Sequence, residues 1–151
     1  MDVTAQKIKK TVSNLHMYAS FRLGETELAI SVASLQEVVH YPEKITVVPL
    51  APNYLTGLFN LRGVVIPIVD VAKLLELSCN ADKAFKKVAI VSLDNVKVGL
   101  LFDSTSEILN VQEQDISKFD HTPTGNKGVI RSVLNLDNGN RLVEVIDPMV
   151  L

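Results

Sequence analysis

The chain has 151 residues, with 15 Lys and Arg against 17 Asp and Glu and a formal net charge of −2, so there is no basic excess to neutralise a phosphate backbone. Aromatic residues make up 5% with no Trp, which leaves little to stack on nucleobases; nucleic-acid binding is therefore disfavoured. Hydrophobic content of 47%, mostly Val, Leu and Ile, excludes disorder, and the single cysteine, Cys79, excludes an internal disulfide and a Cys-based metal cluster.

The N-terminus lacks the apolar core of a signal peptide, and no apolar run is long enough to span a bilayer. A cytoplasmic location without membrane insertion is the expectation. Residues 1–18 place Ala5, Ile8, Val12 and Leu15 at helical spacing and are read as an amphipathic helix or tail ahead of a domain over 19–151. Lys7, Lys9 and Lys10 in this segment are read as solvated.

From Tyr18 the pattern alternates in the β sense to Leu23, turns at Gly24-Glu25, and resumes through Leu28, Ile30 and Val32. Leu35 to Tyr41 reads as a third strand. Pro42 and Pro49 punctuate the next segment, and Ala51 to Tyr54 is expected to open a short helical stretch towards Gly57. Asn60-Leu61-Arg62-Gly63 is a hairpin tip. Val64 to Val69 is almost continuously apolar and reads as a strand covered on both faces, with Pro67 marking an edge or a bulge. Asp70 is a candidate N-cap for a helix reaching Leu77.

A second set begins at Lys87: a hairpin around Asp94-Asn95, a strand from Glu107 to Val111, a helical turn after Gln112, and a loop over 121–127. Asp137-Asn138-Gly139-Asn140 is the strongest hairpin signal, joining Val129–Leu136 to Arg141–Ile146. The second set is a diluted copy of the first. Leu23 to Val39 lies over Leu93 to Leu109 at a constant offset of 70, which pairs Glu37 with Glu107 and Val38 with Ile108. The offset is 71 at Gly57 and Gly128 and 77 at Asp70 and Asp147. The expectation is an all-β protein built as two small barrels from an internal duplication, with short peripheral helices.

No phosphate-cradling Gly-rich loop, dinucleotide fingerprint or nucleophile–base set is present. His16, His40 and His121 are far apart and read as surface histidines, so no metal ligands, cofactor or enzymatic activity are assigned. The recurring Asp70 and Asp147 read as structural caps. Glu37 is open to a binding role, and Arg62, with no obvious counterpart in the second copy, is either a solvated turn residue or an exposed donor for a partner.

The segment Gly57 to Asp70, with Asn-Leu-Arg-Gly before Val-Val-Ile-Pro-Ile-Val-Asp, resembles the signature of the CheW family of bacterial chemotaxis coupling proteins. Phe21-Arg-Leu-Gly, Leu35-Gln-Glu-Val-Val, Val98-Gly-Leu-Leu-Phe-Asp-Ser and Ser106-Glu-Ile-Leu fit the same family in the same order. The resemblance implies two SH3-like β-barrel subdomains, intertwined and separated by a groove. It also implies a non-catalytic adaptor whose partners are the cytoplasmic tip of a chemoreceptor and the regulatory domain of a CheA-type histidine kinase. By motif match, the receptor-facing residues are Leu35, Glu37, Val38, Gly57, Asn60 and Arg62. Family members often continue into a closing C-terminal helix; either Pro148 to Leu151 are a truncated remnant of it, or the N-terminal segment covers the surface it would take. The competing readings are a small-molecule-binding barrel using Glu37 or Asp70, and a variant adaptor serving a non-motility pathway.

Overall fold

The computed structural model describes residues 15–78, 85–118 and 128–150. The chain runs β1 (Leu15–Leu23), β2 (Thr26–Ser31), β3 (Leu35–His40), β4 (Leu55–Leu61), β5 (Val64–Asp70) and a short helix α1 (Val71–Leu75). It continues through β6 (Lys87–Leu93), β7 (Val96–Phe102), β8 (Ser104–Gln112), β9 (Ile116–Lys118), β10 (Ile130–Leu136) and β11 (Arg141–Ile146). The fold is all-β, in two small SH3-like barrels.

One sheet has the order β8-β1-β2-β11-β10-β9 and the other β3-β6-β7-β5-β4. Each sheet thus takes its central hairpin from one copy of the repeat and its remaining principal strands from the other. The duplication extends to register. Tyr18 pairs with Leu109 and Ala19 with Ile108, while Val88 pairs with Val39 and Ala89 with Val38. These are the same pairs under the offset of 70, and the register shifts after both sets at the same place, between Ala19 and Phe21 and between Leu35 and Glu37. Each sheet also contains one parallel contact, Val145 with Ala29 and Ile68 with Gly99, again at equivalent positions.

Three buried clusters arise from this exchange. Ile66, Ile68, Val88, Ile90 and Leu101 fill one barrel; Ala29, Leu109, Leu134, Val143 and Val145 fill the other. A third lies between the barrels and contains Leu28, Ile30, Leu74, Leu100, Val129 and the stacked rings of Phe21 and Phe102, 4.5 Å apart. β2 and β7 therefore have both faces covered, one by their own barrel and one by the shared core. The alternation read through Leu28 and Ile30 is therefore only one of two buried faces, and Ala29 between them packs into the barrel.

Several expectations are corrected. Leu15 to Tyr18 belong to β1, not to a helix, because they pair with Gln112 to Leu109 of β8; the cross-strand ladder overrides the local helical spacing. The rest of the N-terminal reading, residues 1–14, lies outside the described residues, as do Cys79 and His121. Tyr54 leads directly into β4 without a helical stretch. In β5, Val64 and Val65 are exposed, so only its second half is covered. Pro67 lies in a central strand and not at an edge. Leu58, its partner, spends both its N–H and its C=O on Thr46, so Pro67 occupies a non-hydrogen-bonded position of the β4–β5 pair. It also precedes the β5–β7 ladder, which starts at Ile68. The bulge lies in β4, between Leu55 and Gly57.

Candidate functional site

β3 and β8, equivalent strands of the two repeats, each form an outer edge of their sheet. A groove of about 240 Å³ opens between them, walled by Leu35 and Val38 from β3 and by Thr105, Ser106, Glu107 and Ile108 from β8. Its floor is Ala19, Ser20 and Phe21 of β1. Floor and wall are tied together at one residue: Ser20 Oγ–H donates to the Glu107 carbonyl and accepts from the Glu107 N–H, both at 3.0 Å. Val38 and Ile108 are repeat equivalents, and both expose apolar side chains. Exposed aliphatic groups on two facing edge strands make a surface suited to an apolar face of a partner.

Arg62 reaches β3 from the β4–β5 hairpin, through Glu37, and neither of the two lines the groove. Arg62 and Gly63 have positive φ, 51° and 87°, the two-residue hairpin turn whose twist matches that of its flanking strands. The Asn60 carboxamide accepts from the Gly63 N–H at 2.8 Å and so fixes the turn. The Arg62 guanidinium pairs with the Glu37 carboxylate on β3 and remains 67% exposed. This pair joins the two ends of its sheet, β3 at one side and the β4–β5 hairpin at the other.

The structure thus distributes the six sequence-assigned residues. Leu35 and Val38 line the groove, Glu37 and Arg62 form an ion pair outside its lining, and Asn60 shapes the turn that presents Arg62. Gly57 is buried. A Cβ there would collide with Ile45 and lie 2.6 Å from the Thr46 carbonyl, so its role is to let residues 45–46 cross β4 closely.

The expectation that Arg62 has no counterpart is corrected. Arg141, at the start of β11, pairs with Glu107 at 2.6 Å, and Glu107 is the repeat equivalent of Glu37. Arg141 also donates through Nε to Glu27 at 3.2 Å and pairs through its terminal nitrogen with the other oxygen of that carboxylate. Its hydrogen bonds to Glu27 first and to Glu107 second hold its proton more tightly than an ordinary guanidinium does. The signal that could have found Ile108 and Glu107 was the repeat offset. Arg141 was hidden because its hairpin is longer and its alignment with Arg62 slips by two residues.

The recurring aspartates act as caps. Asp70 Oδ1 accepts from the Lys73 N–H at 3.2 Å, and Asp147 Oδ1 from the Met149 N–H at 3.0 Å. Their own N–H groups donate to Tyr54 and Val129, each just before the strand that opens its hairpin. His16 and His40 are exposed, with the His40 ring 2.9 Å from the Lys87 ammonium. Among the described residues no cluster of three or more His, Cys, Asp or Glu side chains is arranged to hold a metal, and no helix is long and apolar enough to cross a membrane.

Residues 17–151 match the CheW-like domain. The chain belongs to the CheW-like family. It is 38% identical over 98 residues to a probable chemotaxis protein CheW of Rhizobium etli, covering 64% of this chain and 62% of that one. Against the chemotaxis protein CheW of Bacillus subtilis it is 29% identical over 128 residues, 84% of this chain and 80% of the relative. The CheW-like fold is also that of the scaffolding protein TtCheW from Thermoanaerobacter tengcongensis, with a TM-score of 0.76, 24% identity, and 87% and 83% of the two chains covered. The chain spans about 62% of the length of the Rhizobium relatives it matches.

Proposed function

We propose that this CheW-like chain is a non-catalytic cytoplasmic adaptor in bacterial chemosensory signalling, coupling the cytoplasmic tips of chemoreceptors to the regulatory domain of a CheA-type histidine kinase. The observation that carries this reading is the groove between β3 and β8, with Leu35, Val38 and Ile108 open to a partner and the exposed Arg62 paired with Glu37 of β3. A helical receptor tip supplies the apolar stripe such a groove needs, and Arg62 supplies a preorganised donor for carboxylate or carbonyl groups.

A separate kinase surface is supported by the outer ends of the barrels. Val65 in β5 and its repeat equivalent Leu142 in β11 are exposed to nearly the same degree, 60% and 61%, one on each barrel. Val47, Leu50 and Val64 are further exposed aliphatic side chains. Large exposed aliphatic groups away from the groove are the material of a protein interface.

The test is binding of a receptor-tip fragment and a kinase regulatory domain, each alone and then together. Simultaneous binding of both is expected. Competition to full displacement at saturation would contradict the two-surface reading, and binding of neither would contradict the adaptor reading.

A further inference from the structure

One carboxylate ties the two sheets together where the chain crosses between them. Lys86 and Asp103 flank the β6–β7 hairpin, one step beyond its last cross-strand pair, Lys87 with Phe102. The Lys86 ammonium is buried and lies 3.1 Å from Asp103 Oδ1. The other oxygen, Oδ2, accepts from the Gly24 N–H at 2.7 Å, and the Asp103 N–H donates to the Arg22 carbonyl at 3.0 Å. Gly24 and Arg22 belong to the β1–β2 hairpin of the other sheet, so each sheet takes one oxygen. Both groove walls run out of this junction. Asp103 leads into β8, whose Thr105 and Ser106 line the groove. The Tyr41 N–H, three residues past Val38 of β3, donates to the Lys86 carbonyl at 3.2 Å. The equivalent crossover, from β2 into β3, is built differently. The offset of 70 puts Ala33 in the place of Asp103 and the exposed His16 in that of Lys86. Backbone groups make the bonds there, from the Val32 N–H to the Met17 carbonyl and from the Ser92 N–H to the Ser34 carbonyl, both at 3.0 Å.

We infer that Asp103 and Lys86 form a clamp that fixes the spacing of the β3 and β8 walls, which makes them positioning residues for the helix that occupies the groove. The inference rests on the receptor reading for that occupant and adds the device that holds the site at one width. Stability does not explain the pair. Taking an ammonium and a carboxylate out of water is costly, and a well-packed apolar pair of similar volume is often as stable or more so. Apolar side chains would fill the same space, but they have no directed bonds to hold one sheet against the other. The two walls come from different sheets, so their separation depends on how those sheets are joined. A groove already held at its bound width spares the partner the cost of ordering it.

The experiment uses the whole chain with Cys79→Ser, and spin labels at Gln36→Cys and Asn110→Cys. These are exposed positions of β3 and β8 outside the groove lining, and pulsed electron paramagnetic resonance reads their separation. The unlabelled chain is titrated by calorimetry with a helical-hairpin fragment of a chemoreceptor cytoplasmic tip. Two clamp variants are compared with the parent at a temperature where all are folded: Asp103→Asn, and the double variant Lys86→Met with Asp103→Leu. The parent should give one narrow distance distribution. Both variants should give a broader one and bind the tip about fivefold more weakly. Asp103→Asn should also lower the melting temperature, because it leaves the Lys86 ammonium buried without its counter-charge; the double variant should melt close to the parent. The double variant thus separates positioning from stability, and Asp103→Asn serves if it is poorly folded. A distribution as narrow as the parent's in the folded variants, or tip binding within about 1.5-fold of the parent's, would overturn the inference while leaving the receptor reading intact. A parent chain that binds no tip fragment would overturn the receptor reading, and the label distances would still decide whether the clamp sets the spacing.

Discussion

Arg62 and Gly57 lie close in sequence within one motif, yet their physical roles differ. The Arg62 ion pair is solvent-exposed, and such pairs contribute only about 0.2–1 kcal/mol to stability. The turn beneath it is held by Gly63 and by the Asn60 carboxamide, so it survives loss of the guanidinium. Arg62→Ala should therefore leave the melting temperature nearly unchanged while weakening receptor-tip binding by about thirtyfold, the size of a central Arg anchor near 2 kcal/mol. An affinity within about twofold of wild type would return Arg62 to a solvated turn residue. Gly57→Ala should do the reverse. Its methyl group meets Ile45 and the Thr46 carbonyl, and overpacking of this kind costs about 1–3 kcal/mol, or several degrees of melting temperature in a chain of this size. The motif at these two positions was visible in the sequence. Which residue stood exposed and which made room for a crossing segment was not, because that depends on residues 45–46 passing over β4.

At the level of elements, the two Arg–Glu pairs close the open side of their sheets with unequal strength. Arg141 is 29% exposed, against 67% for Arg62, and holds two carboxylates, one of them nearly buried. Removing it leaves Glu27 facing Glu107 with Arg22 at 3.8 Å, and a largely buried carboxylate that loses its partner costs on the order of 1–3 kcal/mol. Arg141→Gln is thus expected to lower the melting temperature by several degrees, in contrast to Arg62→Ala. Equal stability of the two variants would show that the Arg141 network contributes no more than its exposed counterpart. The helix α1 depends on Asp70, which caps it and is itself buried. Asp70→Ala should cost about 1 kcal/mol, read as a lower denaturant midpoint at constant slope.

For the whole molecule, the exchange of hairpins between sheets makes the two barrels one folding unit. β1 and β2 complete the sheet that contains β8, β10 and β11, and β6 and β7 complete the one that contains β3, β4 and β5. Neither repeat alone can pair its own hairpin as the native sheets require, and the core containing Phe21 and Phe102 exists only when both are present. Calorimetric unfolding is expected as a single transition whose van't Hoff and calorimetric enthalpies agree. Fragments 1–86 and 87–151 should be unfolded separately and recover strand structure on mixing. Two resolved transitions, or one folded fragment, would show barrels of independent stability.

Alternation, turn residues and the repeat offset were local properties, so the sequence alone determined the strands, most hairpins, the caps at Asp70 and Asp147, and the duplication. Those signals depend on neighbours within a few residues, where side-chain period and backbone φ decide the outcome. The tertiary structure decided what no local pattern contains: that hairpins swap between sheets, that β5 is central despite Pro67, that Leu15 to Tyr18 join a ladder, and that Arg141 repeats the role of Arg62. Each rests on pairing between segments far apart in the chain. There the free energy comes from burying the shared core and matching distant edges, and it outweighs the local preference wherever the two conflict.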